Sequence, residues 1–510
     1  MKQTILHTTW CAVLALTLSA CQQQATIPET FTETTEAIEI YPDYTDITIP
    51  PNIAPLNFMV KQDAQGYIAQ IGCGDQQLIA SAQTDGKVQF DETAWKSLLQ
   101  NHRGDSLTLT IYTKNENGWL RHLPYKLFIA QEDIDPYLSY RLIEPGYEAY
   151  RQVGLYQRNL TNFEVHTIYE NNRSFDNEHN HCINCHNYQN YSTKQMLFHV
   201  RAMHGGTVIA RNGEIHKMNL TADSILSSSV YPSWHPTQNW IVFSSNKTGQ
   251  TFHIQHSEKI EVVDTESDLV FYDADKRTIQ NILRTDHTLE NFPCWHPDGK
   301  KLYYCAAYLP QLAGKSNAER SQYIVAHYDS IHYNIMSLTF DPQTCRFGTP
   351  VMEVNCDSIG KSASVPRISP DGRYLLFTLG DYGQFHIWHK SADLYLKDLH
   401  TGVIRRLDHA SGKDADSYHT WSSNGRWMVF SSRRDDGSYT RPYIAYLDAQ
   451  GHDRKAFILP QEDPEQNLLL LKSYNVPELT KDAVPYHTDD FKKVIYESEG
   501  EKVQYINPDK

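Results

Sequence analysis

Four times between residues 232 and 432 the chain repeats one pattern, and that pattern limits what it can fold into. Pro232-Ser233-Trp234-His235-Pro236 precedes the apolar run Trp240 to Ser245. Pro293-Cys294-Trp295-His296-Pro297-Asp298-Gly299 precedes Leu302 to Tyr304, and Pro366-Arg367-Ile368-Ser369-Pro370-Asp371-Gly372 precedes Tyr374 to Phe377. The fourth copy, His419 to Gly425, leads into Trp427 to Ser432. Each reads as a strand, a tight turn that needs Gly or Asn, and a second strand. A further strand ending in an acidic turn follows each copy, for example Asp393 to Asp398 and Tyr443 to Asp448. Two more segments of this second kind, Gly154 to Leu160 and Glu214 to Leu220, lie upstream without an obvious first half. Uneven spacing argues against a solenoid and for propeller blades with loop insertions. The four clear copies alone allow an incomplete or five-bladed ring. Counting second halves gives six blades, and a ring must close to remove its sheet edges. Leu468 to Leu471 is the expected closing strand.

The reading is therefore all-β, a six-bladed propeller over residues 133–475 with a small β-sandwich-like domain before it at 53–132. Short alternating runs such as Leu107 to Tyr112 carry the sandwich, and one helical turn is expected near Ala94 to Leu99. Residues 21–52, rich in Thr, Glu and Pro, read as a flexible tether, and residues 476–510 as a C-terminal tail. Residues 1–20 have the features of a signal segment: Lys2, then an apolar run from Trp10 to Leu18 too short to span a bilayer. The segment closes on Leu18-Ser19-Ala20-Cys21, which resembles a lipobox, so Cys21 is the expected lipidation site. An ordinary signal peptide or an uncleaved anchor is the alternative.

An exported chain gives Cys182-Ile183-Asn184-Cys185-His186 its meaning. Two thiols two residues apart reach the vinyl groups on one haem edge, and the following histidine becomes the proximal iron ligand. The expected cofactor is one covalent haem c held by Cys182, Cys185 and His186, on a haem-motif insertion at about 171–205. For the distal position His199 is preferred and Met203 is second. Met196, His199 and Met203 share a face if Ser192 or Thr193 caps a helix, and His199 sides with Leu197 and Arg201 if the segment is a strand. The iron ligands expected are thus His186 and His199. A zinc half-site with His179 and His181, or a plain disulfide, remains open for the same cysteines; a thioredoxin-like βαβ context is absent. Cys294 and Cys305 flank one turn symmetrically and are a possible disulfide.

The Pro-x-Trp-His-Pro-Asp-Gly copies resemble the blade signature of TolB-like propellers. Together with the lipobox, Asn52 to Phe58, Tyr140 to Tyr147 and the Cys-x-x-Cys-His, they resemble a group of Bacteroidota TolB-like lipoproteins often labelled as cytochrome-c-related. The resemblance implies architecture first. It also implies an outer-membrane lipid anchor facing the periplasm, since no acidic run follows Cys21, with the inner membrane as the alternative.

A net charge of −15 disfavours nucleic acid as a partner. With no Gly-x-Ser-x-Gly elbow and no His-Glu-x-x-His pair, hydrolase readings lack support. Electron transfer or redox sensing with an envelope protein or redox partner is the leading expectation. A TolB-like protein- or glycan-docking scaffold is the alternative.

Overall fold

The computed structural model describes residues 25–144, 152–174, 181–254, 256 and 258–507. The signal segment, Cys21, His179, Asn180 and Pro145-Gly146-Tyr147 lie outside them. No described helix is long and apolar enough to cross a membrane.

Six antiparallel sheets, each with one innermost strand, form a propeller. The innermost strands are Ser473–Thr480 in blade 1, His181–Gln189 in blade 2, Ser229–Trp234 in blade 3, Thr288–Trp295 in blade 4, Ser362–Ile368 in blade 5 and Asp416–Trp421 in blade 6. Each touches the next, and the sixth returns to the first. Blade 1 is composite. Its innermost strand comes from the C-terminal end and pairs antiparallel with Tyr137–Ile143, so the two ends of the propeller are hydrogen-bonded into one sheet.

The repeat explains how neighbouring blades lock. In Trp-His-Pro, the His235 ring reaches the turn of the next blade and its Nε2 lies 3.1 Å from the Gly299 carbonyl. Its Nδ1 accepts from the Thr237 and Gln238 amides at 3.2 and 3.1 Å, which leaves Nε2 as the donor. His296 meets Gly372 of the following blade in the same way, at 3.4 Å. Gly299 and Gly372 have φ of +69° and +75°, and a Cβ on either would collide with the histidine ring. The glycine therefore serves both the turn and the latch. Apolar faces fill the spaces between sheets. Met196, Phe198 and Val200 pack toward blade 1, and Leu197 packs toward blade 3.

Several expectations change. Gln466–Leu469 is a helical turn, and the closing strand is Ser473–Thr480, so it straddles the boundary expected for the tail. The haem motif is not on an insertion: His181–Gln189 and Ser192–Ala202 are the first two strands of blade 2. Its third strand is Gly206–Arg211, which makes Glu214–Asn219 the fourth, with Glu501–Lys502 added outside it. The tether is structured from Thr32 onward, because Ile38, Ile40, Ile47 and Ile49 enter a core. That core is shared. It holds Trp95, Leu98 and Leu99 of the helix Glu92–Asn101, the N-terminal sheets, and apolar residues of blades 1, 5 and 6 without a break.

A candidate axial ligand site

Every innermost strand carries the same irregularity. Val476, Cys185, Tyr231, Phe292, Val365 and Tyr418 have φ between +47° and +52°, and the ladder shifts register at each. One extra residue bends each strand at the axis. The next residue is proline in four strands (Pro477, Pro232, Pro293 and Pro366) and histidine in two, His186 and His419. The residue after that faces the axis, giving the ring Asn187, Ser233, Cys294, Arg367, Thr420 and Glu478. The Cys-x-x-Cys-His therefore sits on the bulge of blade 2, with Cys185 at the bulged position and His186 where proline usually stands.

Two cavities of about 430 and 340 Å³ share Asn187, Pro232, Arg367, Thr420 and Glu478, which form the waist between them. The larger is of ligand-pocket size. Cys182, Cys185 and His186 all line it, and both thiols are free. His186 is 4 % exposed, and neither ring nitrogen has a hydrogen-bond partner. The Val476 backbone approaches the ring and favours its protonated form, but no hydrogen bond of normal geometry forms. Burial, assisted by the Arg141 charge, pulls the imidazole pKa down to about 3, so it is neutral with a free lone pair. Burial also pushes the Cys185 thiol up, against the pull of Arg201 and Arg141.

Cys182, Cys185 and His186 do not gather their ligand atoms at the spacing of a single ion. Among the described residues only Cys73, His102 and Asp105 do. The two cysteines and the histidine are instead spread along one cavity wall.

The two distal candidates lie elsewhere. His199 pairs with Asn184 in register on the second strand of blade 2; its Nδ1 is 3.4 Å from Thr207 Oγ1, and it does not line the cavity. Met203 is 47 % exposed in the turn that follows. The segment is a strand, so the helical face expected to gather Met196, His199 and Met203 does not form. Cys294 and Cys305 are free thiols as well. The turn sets Cys294 opposite Tyr303, and beyond the bulge at Phe292 Cys305 lies opposite Asn291, so the symmetric pairing expected of the hairpin does not form.

Sequence reading passed over the charges. Arg141, Arg201, Arg367 and Arg433 all line the larger cavity, and none forms an ion pair among the described residues. Arg141 Nη1 donates to the Ile183 carbonyl and to Asn184 Oδ1, at 3.2 and 2.8 Å. Arg367 donates to the Pro366 carbonyl at 2.9 Å. Arg433, 3 % exposed, lies 3.1 Å over the Trp388 ring and its side chain has no described acceptor; burial lowers its pKa. Opposite charge is scarce. Glu478 accepts from the Tyr188 amide and Asn187 Nδ2, and burial raises its pKa to about 8 despite Arg367. The repeat held one usable signal: Arg367 and Glu478 occupy the position after proline, which always faces the axis.

No known protein family matches the sequence, and no curated protein does. Solved structures give distant likenesses. A luciferin-regenerating enzyme aligns with 62% of this chain and 90% of its own at 11% identity and a TM-score of 0.34. The periplasmic gluconolactonase of Pseudomonas aeruginosa aligns with 68% and 100% at 11% identity and 0.33. Prolyl oligopeptidase B from Galerina marginata aligns with 68% of this chain and 42% of its own, at 8% identity and 0.35.

Proposed function

We propose that this protein is a TolB-like envelope lipoprotein whose propeller holds one covalent haem c in its axial cavity and serves electron transfer or redox sensing. The observation that carries the reading is His186: buried, neutral and without a partner at either nitrogen, beside two free thiols that line the same cavity. Burying an imidazole without partners is unfavourable, and an iron ligand bond would satisfy one of its two nitrogens. Cys182 and Cys185 would hold the ring through thioethers and His186 would be its proximal ligand. When bound, the haem supplies one-electron chemistry, or reversible binding of a small diatomic, at its iron. Among the described residues no second histidine and no methionine lines the cavity, which favours an open distal side and hence sensing over rapid electron relay. A lipid on Cys21, on the periplasmic side of the outer membrane, would keep the cavity near an envelope redox partner.

The test is a haem stain on a denaturing gel with a reduced-minus-oxidised spectrum, on full-length protein co-expressed with a cytochrome c maturation system. Covalent haem in the wild type, lost in Cys182→Ala/Cys185→Ala, is expected. A haem-free wild type under conditions that mature a known cytochrome would overturn the reading. The polar waist ring and second cavity then favour a docking scaffold without redox turnover.

A further inference from the structure

The cavity's four arginines form no ion pair among the described residues, although Glu144 and Glu478 line the same cavity and Asp414, Asp436 and Glu258 act on Arg433 from beyond contact distance; many of the chain's other guanidiniums do find a carboxylate partner. Arg434 pairs with Asp416 at 2.8 Å, Arg406 with Asp393 at 2.8 Å and Arg211 with Asp275 at 2.5 Å. The adjacent Arg433 pairs with none and is buried more deeply than any of these three. A protein with a net charge of −15 has carboxylates to spare, yet leaves four cations converging on one cavity. Such a cluster is self-repelling, and its buried members Arg141 and Arg433 are costly to desolvate unless an anion completes it.

Position and surroundings narrow the anion. Arg141 and Arg201 both act on the Cys185 thiol, so they stand on the blade 1 and 2 side. Arg433 stands instead among the loops of blades 5 and 6, on Trp388. Between the two groups the wall is largely aromatic or apolar, with Tyr231, Phe292, Phe385, Tyr418 and Val476. Two cationic stations separated by an aromatic wall suit one flat apolar body with two separated anionic groups. A guanidinium fork matches the planar carboxylate best among such groups.

We infer that Arg141, Arg201, Arg367 and Arg433 form a clamp for a ligand with an aromatic body and two carboxylates, seated in the axial cavity. The inference rests in part on the proposed function, because a haem carries two propionates on such a body. A free aromatic dicarboxylate has the same chemistry, and the two sources separate by experiment.

Full-length haem-free protein, made without the maturation system, is titrated with protoporphyrin IX, with its dimethyl ester, and with naphthalene-2,6-dicarboxylate. Binding of the porphyrin diacid at least tenfold tighter than the ester, weakened at least tenfold by Arg433→Gln and retained by Arg433→Lys, supports the clamp with a porphyrin as its ligand. Binding of the naphthalene diacid alone, with the same arginine dependence, supports it with a free dicarboxylate. If Arg433→Gln does not fold, Arg201→Gln replaces it, since Arg201 is exposed and makes no described hydrogen bond or ion pair. Equal affinity for diacid and ester, no dependence on the arginines, or no binding of either diacid overturns the inference. The haem stain fails or succeeds independently: covalent haem with arginine-independent porphyrin binding sinks the clamp alone, and an arginine-dependent diacid site without covalent haem sinks the haem reading alone.

Discussion

Glu478 shows how much one residue at the waist of the channel can weigh. Its carboxyl has an ordinary value of 4.5 and is held up to about 8 by burial, so the folded state keeps the proton while the unfolded state releases it. The linkage sign follows. A raised carboxyl pKa contributes stability below about 4.5 that is lost as pH rises toward 8. Glu478→Gln keeps the neutral form, and its Oε1 still accepts from Tyr188 and Asn187. We expect its thermal midpoint to match wild type near pH 4.5 and to exceed it at pH 8.5, by an amount equivalent to about 5 kcal/mol. Equal midpoints at both pH values would show that Glu478 is ionised in the fold. The importance of this residue was only half legible. Its place after Pro477 repeats that of Arg367 after Pro366, but which side chains of a repeat point at the axis depends on a bulge that composition and periodicity do not reveal. Cys294 and Cys305 show a related limit, because the turn centres the hairpin one residue nearer the N-terminus than the midpoint between them and so pairs Cys294 with Tyr303.

At the scale of the element, strand, turn and strand were readable because each copy pairs an apolar run with a turn that demands glycine. The role of the histidine between them was not, since its partner lies in the next blade. His235→Ala removes a latch to Gly299 and leaves a buried carbonyl short of its donor. A loss of about 1–3 kcal/mol in urea unfolding is expected; His235→Gln, with a side-chain amide to offer, should recover part of it. The bulge makes a second prediction about the candidate site. Four of six innermost strands place proline directly after the positive-φ residue, so His186→Pro suits the local backbone. We expect cooperative unfolding within a few degrees of wild type, as for a tolerated backbone substitution, together with loss of the proximal ligand from any thioether-bound haem. An altered Soret band with an unaltered melting curve is the predicted pair. An unfolded His186→Pro would mean that the histidine backbone is itself required in blade 2.

For the whole molecule, the six-unit ring was foreseeable from the number of second-half repeats, but its clasp was misplaced. Leu468 to Leu471 looks more apolar than Ser473–Thr480, yet closure asks for a strand that pairs with Tyr137–Ile143 and presents polar Asn475 and Glu478 to the axis. Two truncations separate clasp from strap. The strands Glu501–Lys502 and Gln504–Tyr505 lie parallel to the outer edges of blades 2 and 3, adding two residue pairs to each. The helix Thr488–Glu497 before them buries Phe491 and Ile495 between blades 1 and 2. Deleting residues 498–510 should keep a cooperative monomer with a midpoint lower by a few degrees, the shift that a loss of about 1 kcal/mol produces in a large domain. Deleting 473–510 removes the axial strand of blade 1 and the whole helix, exposes the inner edge of Tyr137–Ile143, and takes Glu478 and Val476 from the cavity wall. Loss of the cooperative transition and concentration-dependent aggregation are expected there, because an open ring presents an unpaired edge to every other copy. A monomeric, cooperatively melting 1–472 chain would show instead that the shared core with the N-terminal sheets, and not the clasp, holds the ring closed.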